Sequence, residues 1–102
     1  MILRDLAHAR SGDKGDTSNI SIIAYDIADY ELLRAEVTAA GVQAFLAKLV
    51  RGPVERYEIP QLGALNFVLH RALGGGVTRS LALDTHGKCL SSMLLAMKIR
   101  RG

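Results

Sequence analysis

Two stretches near the N-terminus alternate between apolar and other residues: Ile2, Leu6 and His8 in the first, Ile20, Ile22 and Ala24 in the second. This alternation, in segments rich in β-branched and aliphatic residues, predicts strands over about 2–10 and 19–26, paired antiparallel. The period then changes. Tyr30, Leu33 and Val37 have helical spacing behind Asp29, a candidate cap. Val42, Phe45, Leu46, Leu49 and Val50 follow a second cap, Thr38, in the pattern of one helical face. Gly52 and Pro53 stop that helix. Val54–Ile59, bracketed by Pro53 and Pro60, predicts a strand with Tyr57 and Ile59 turned inward.

Leu62, Leu65, Val68, Leu69 and Ala72 form the stripe of a third helix over 62–73, with Ala64 and Phe67 near its opposite side. A helix apolar on both sides suggests two covers, and in a chain of 102 residues another chain as the second cover and simple irregular burial both remain open. Gly74, Gly75 and Gly76 end it. Ser80–Leu83 predicts a short strand and Asp84–Lys88 a turn. Leu90, Leu94 and Met97 suggest a last helix, with Met97–Ile99 open to ending as a strand. Two helical crossovers imply some parallel pairing. The fold expected is α+β: a two-layer sandwich of a four-stranded mixed sheet with helices mainly on one face.

One segment stands outside this pattern. "HARSGDKGDTSNIS", residues 8–21, is a long polar connection between the first two strands. Gly12 and Gly15 permit close backbone approach. Ser11, Thr17, Ser18 and Asn19 supply hydrogen-bonding groups, Lys14 a charge, and Asp13 and Asp16 carboxylates. The order of a phosphate-binding P-loop is absent. So is that of an EF-hand, whose third ligand position is glycine here. The same residue types also stabilise turns through their own backbone, so site and turn both remain open.

A second candidate is "ALGGGVTRS", 72–80, where Gly75 and Gly76 could form an anion nest with Thr78, Arg79 and Ser80. It follows a helix, whose negative end disfavours anions. A third is Asn66 with His70, four apart on one predicted helical side and able to face a pocket. No histidine has a partner at metal-ligand spacing, so no metal site is predicted.

At 49% hydrophobic and 23% charged, the chain is expected to be one packed domain over 1–102. Its mean hydropathy of +0.17 suggests apolar surface covered by a partner. A homo-oligomer is expected, a two-fold dimer through the side around Phe67. The net charge of +3 is scattered, and three tyrosines and two phenylalanines stand apart from basic runs, so nucleic acid is not an expected partner. Cys89 stands alone, which excludes an intramolecular disulfide. Arg4 and Asp5 interrupt any early apolar run and no stretch reaches membrane-spanning length. No membrane association and a cytoplasmic location are expected.

Taken together, "LAHARSGDKGDTSNISIIA" and "VERYEIPQLGALNFVLHRALGGGVTRSLALDTHGK" resemble the C-terminal domain of the AtuA family, the acyclic terpene utilisation proteins, over nearly the whole chain. The resemblance implies a ferredoxin-like α+β fold. It marks as motif positions Ser11, Gly12, Asp13, Lys14, Gly15, Thr17 and Asn19. It also marks Asn66, His70, Gly74, Gly75, Gly76, Thr78, Arg79, Ser80 and Asp84. Asp16 departs from the asparagine common in the family pattern. In this family the small domain usually follows a much larger one, so a separately encoded small subunit or a stand-alone relative is expected. The family is associated with breakdown of acyclic terpenes and acyl-CoA-type intermediates, and neither a catalytic role nor a cofactor is carried over.

Three functions follow. The favoured one is an accessory subunit or domain packing on a larger AtuA-type partner, completing a composite site or mediating assembly. The others are a small enzyme on acyl-thioester or carboxylate substrates, through Ser11, Asp13, Lys14 and His70, and a non-catalytic module binding anions or cofactor phosphates through Lys14 and Arg79.

Overall fold

The protein is described by a computed structural model, which places residues 1–14, 17–47, 50–71 and 90–100. Strands β1 (Ala7–Lys14) and β2 (Thr17–Ala24) are followed by helices α1 (Tyr30–Glu36) and α2 (Ala39–Phe45). Strands β3 (Val54–Ile59) and β4 (Ala64–Leu69) come next, then helix α3 (Leu90–Leu94). The four strands form one sheet in the order β1-β2-β4-β3. Helices beside a four-stranded antiparallel sheet make this an α+β two-layer domain.

Every pairing among the described strands is antiparallel, so the sheet is not mixed as the element order suggested. The cause lies in β4. Residues 64–69, expected inside a helix, form a central strand paired to both β2 and β3. A period of two explains this segment better: Leu65, Phe67 and Leu69 are fully buried, while Asn66 and Val68 are half-buried between them. Gly63 sets up the strand. It takes φ 62, a left-handed conformation suited to glycine, at the end of the Pro60–Leu62 turn. Phe67 is therefore a core residue at 0% exposure, not part of an outer apolar side as expected.

The polar segment is also mostly strand. Lys14 pairs with Thr17, leaving only two residues between β1 and β2. Ser11 to Lys14 and Thr17 to Asn19 thus belong to a hairpin, not to a long loop. Leu3–Asp5 forms a 3-10 turn, so β1 begins later than expected.

The core lies between one sheet face and the helices. Ile20 and Ile22 of β2, Leu65, Phe67 and Leu69 of β4, Leu33 of α1, Val42 of α2 and Leu94 of α3 are all fully buried. Thr38 caps α2 as expected, its Oγ1 accepting from Gly41 N–H at 3.0 Å. Asp29 makes no side-chain cap to α1; Asp26 accepts from Ala28 N–H at 2.9 Å instead. The predicted strand 80–83 and turn 84–88 lie outside the described residues. None of the described helices is long and apolar enough to cross a membrane.

Candidate functional site

Antiparallel register sorts the sheet's side chains into two faces. The even positions of β2 and the odd positions of β4 point to the helices. The other set forms an outer face. On it, Asn19 sits opposite Gly12 and Val68, and Ser21 opposite Arg10 and Asn66. On β3, Glu55 lies opposite Val68 and Tyr57 opposite Asn66. Tyr57 is therefore outward, at 51% exposure, contrary to the inward position expected for it. The inward residues of β3 are Val54, Arg56 and Glu58, by the same register.

Two hydrogen-bonded groups organise this face. In the centre, Asn66 Nδ2 donates to Asn19 Oδ1 at 2.7 Å and to Ser21 Oγ at 2.8 Å. That consumes both amide hydrogens and leaves the Asn66 carbonyl oxygen as an acceptor. At the β3 edge, Glu55 holds two partners. The Tyr57 hydroxyl donates to Oε1, and His70 Nε2 lies 3.0 Å from Oε2. These bonds, Tyr57's first and His70's second, hold the Glu55 carboxyl below its ordinary range. The bond to Glu55 in turn pushes the Tyr57 hydroxyl up. At the opposite end of the face, the His8 and Tyr25 rings stack with centroids 5.5 Å apart.

The chain positions His70 through a close backbone contact. His70 N–H donates to Pro53 O at 3.1 Å, and Gly52 N–H donates to His70 O at 2.9 Å. A Cβ on Gly52 would stand 2.6 Å from that carbonyl oxygen. Only glycine fits there.

The structure brings Asn19 and Asn66, predicted in separate motifs, into direct contact. Ser18 pairs with Leu69, so Thr17 and His70 follow as the next residues at the same end of the sheet. Ser11 is not brought to His70: it pairs with Ile20 and shares that residue's side of the sheet, whereas His70 meets Glu55 on the other. Asp13 and Lys14 occupy strand positions opposite Ser18 and Thr17. Asp16, Gly75, Gly76, Thr78, Arg79 and Ser80 lie outside the described residues.

Glu55, Tyr57 and Ser21 join this face without being marked by any of the predicted motifs. The signal for the first two was present in "VERYEI", where Glu55 and Tyr57 share one alternating set and Val54 and Arg56 the other. Among the described residues, no group of three His, Cys, Asp or Glu side chains could hold a metal ion.

A family model described as "AtuA ferredoxin-like domain" matches residues 1–100. No curated protein and no solved structure matches the chain.

Proposed function

Because the chain belongs to the AtuA ferredoxin-like domain family, we propose that it is an accessory unit of an AtuA-type protein in acyclic terpene or acyl-CoA breakdown, mediating assembly through its outer sheet face. One observation carries this reading: that face presents preorganised polar groups beside exposed tyrosines. Asn66 fixes Asn19 and Ser21, and Glu55 fixes Tyr57 and His70, while Tyr57 and Tyr25 are 51% and 65% exposed. Tyrosine, asparagine and serine are the chemistry of adaptable protein recognition: rigid aromatic area beside hydrogen-bonding groups.

The alternative of a small enzyme acting through Ser11, Asp13, Lys14 and His70 has less support, since Ser11 and His70 fall on opposite sides of the sheet. Assembly requires no such convergence.

The test is association. The chain, mixed with a larger AtuA-type chain, is expected to elute with it as a complex of defined mass. Tyr57→Ala and Asn66→Ala, with unchanged circular dichroism, are expected to weaken that complex by about tenfold or more. A complex that forms unchanged with both variants, or no complex with the parent chain, overturns the reading.

A further inference from the structure

We propose that, in the absence of the larger chain, the outer sheet face is occupied by a second copy of this chain, packed sheet to sheet about a two-fold axis parallel to the strands. The inference rests on the reading of this face as a docking surface and names what docks there.

Charge across the face supports the pairing. The β1 edge carries His8 and the exposed Arg10. The β3 edge carries Glu55 and Tyr57. A two-fold axis running along the strands between β2 and β4 lays the β1 edge of one copy over the β3 edge of the other. Arg10 then meets the Tyr57 ring and the Glu55 carboxylate beside it, once on each side of the axis. That is a cation over an aromatic face next to an anion, repeated by symmetry. A two-fold axis across the strands would instead set Arg10 against Arg10, so the charges select one arrangement.

The centre of the face fits as well. Gly12, Ser21, Asn19 and Asn66 are small or flat, which lets two sheets approach to the roughly 10 Å of face-to-face packing. Near the axis, Ser21 of one copy faces Asn66 of the other, and the Asn66 carbonyl oxygen accepts from the Ser21 hydroxyl there.

The footprint places this pairing among small interfaces: four strands about 4.8 Å apart and at least six residues long give roughly 400 Å² per copy.

Light scattering on the isolated chain at tens of micromolar is expected to give the mass of two copies. Arg10→Glu alone and Glu55→Arg alone are each expected to raise the dissociation constant at least 30-fold. The double variant, which restores the opposed charges in reversed order, is expected to recover most of the loss. Circular dichroism identifies any variant that fails to fold. For that case the unmodified chain provides a second readout, since the side-chain amide signals of Asn19 and Asn66 are expected to shift on dilution.

A monomer at these concentrations overturns the pairing. So does a dimer that both single variants leave intact, or amide signals that do not respond to dilution. If the isolated chain is a monomer yet Tyr57→Ala still loses the larger AtuA-type chain, the docking face stands and its occupant is that chain. If neither association occurs, both readings fail.

Discussion

Gly52 and Gly12 show how differently two glycines in one small sheet are constrained. A methyl group at Gly52 meets the His70 carbonyl oxygen at 2.6 Å and its carbon at 2.9 Å, both backbone atoms that cannot rotate away. At Gly12 it meets nothing within 4 Å. Gly52→Ala is therefore expected to destabilise the fold by about 1–3 kcal/mol, and Gly12→Ala to stay within about 0.5 kcal/mol of the parent, in urea titrations. Equal effects would refute the packing described. Glu55 gives a second prediction at this scale. Its carboxyl is held below the ordinary value, first by the Tyr57 hydroxyl and then by His70. A lowered folded value means the contribution is fully present above the ordinary carboxyl range and is lost as pH falls through the lowered one. Between pH about 6 and about 3, the parent should therefore lose stability more steeply than Glu55→Gln. Parallel acid limbs for the two proteins would contradict the hydrogen bonds assigned to this carboxylate.

At the scale of the element, short helices depend on what meets their ends. Helix α1 has seven residues, too few to persist alone. The Arg56 guanidinium, from the inner side of β3, donates to the carbonyl oxygens of Arg34 at 2.6 Å and Val37 at 2.9 Å. It satisfies carbonyls that the helix end leaves unpaired, with positive charge at the negative end of the helix. Arg56→Met should cost about 1–2 kcal/mol and speed amide exchange in α1, and Arg56→Lys should recover only part, having no planar fork. Exchange unchanged in α1 would refute this coupling of strand to helix. The same element shows what was legible in the sequence. β3 and α2 carry their own punctuation, Pro53 and Pro60 around one and Thr38 before the other, so β3 matches its predicted bounds and α2 its predicted start, whereas α2 ends at Phe45 and not at Gly52. β4 is marked only at its start, by Gly63. Leu62, Leu65, Val68 and Leu69 suit a helical stripe, while Leu65, Phe67 and Leu69 suit a strand, and the choice is made by hydrogen bonds to β3 just before it and to β2 far away in sequence. The β1–β2 hairpin was hidden for another reason. Its inward position at Ser11 is not apolar, so alternation fades where the strands continue. The Asn19–Asn66 contact depends on both misread elements, which is why the residues were legible and their meeting was not.

For the molecule as a whole, closure comes from the two ends of the described chain. Leu3 N–H donates to Met97 O at 2.8 Å, Arg4 N–H to Leu95 O at 2.9 Å, and Ile99 N–H to Met1 O at 2.9 Å. Ile2 and Lys98 form an isolated β-bridge between these segments. The side chains beneath them belong to the common core: Leu3 and Leu94 are fully buried and Ile99 is 4% exposed. A segment held only by backbone bonds at the surface would fray independently, but one that lowers a side chain into the shared core cannot leave without opening it. Ile99→Ala removes buried methyl groups at that point. It is expected to cost about 2–5 kcal/mol, a large share of the roughly 5–15 kcal/mol of a whole domain. The thermal midpoint should fall by about 10–25 °C. The decisive observable is cooperativity. Far-ultraviolet circular dichroism and tyrosine fluorescence should still report a single coincident transition, because Tyr30 lies in the same core cluster as Ile99. An unchanged midpoint, with faster exchange confined to residues 95–99, would mean instead that the segment is an appendage. The sheet and helices would then hold together without it, and the non-local pairing of residues 1–4 with 95–99 would add nothing to the fold.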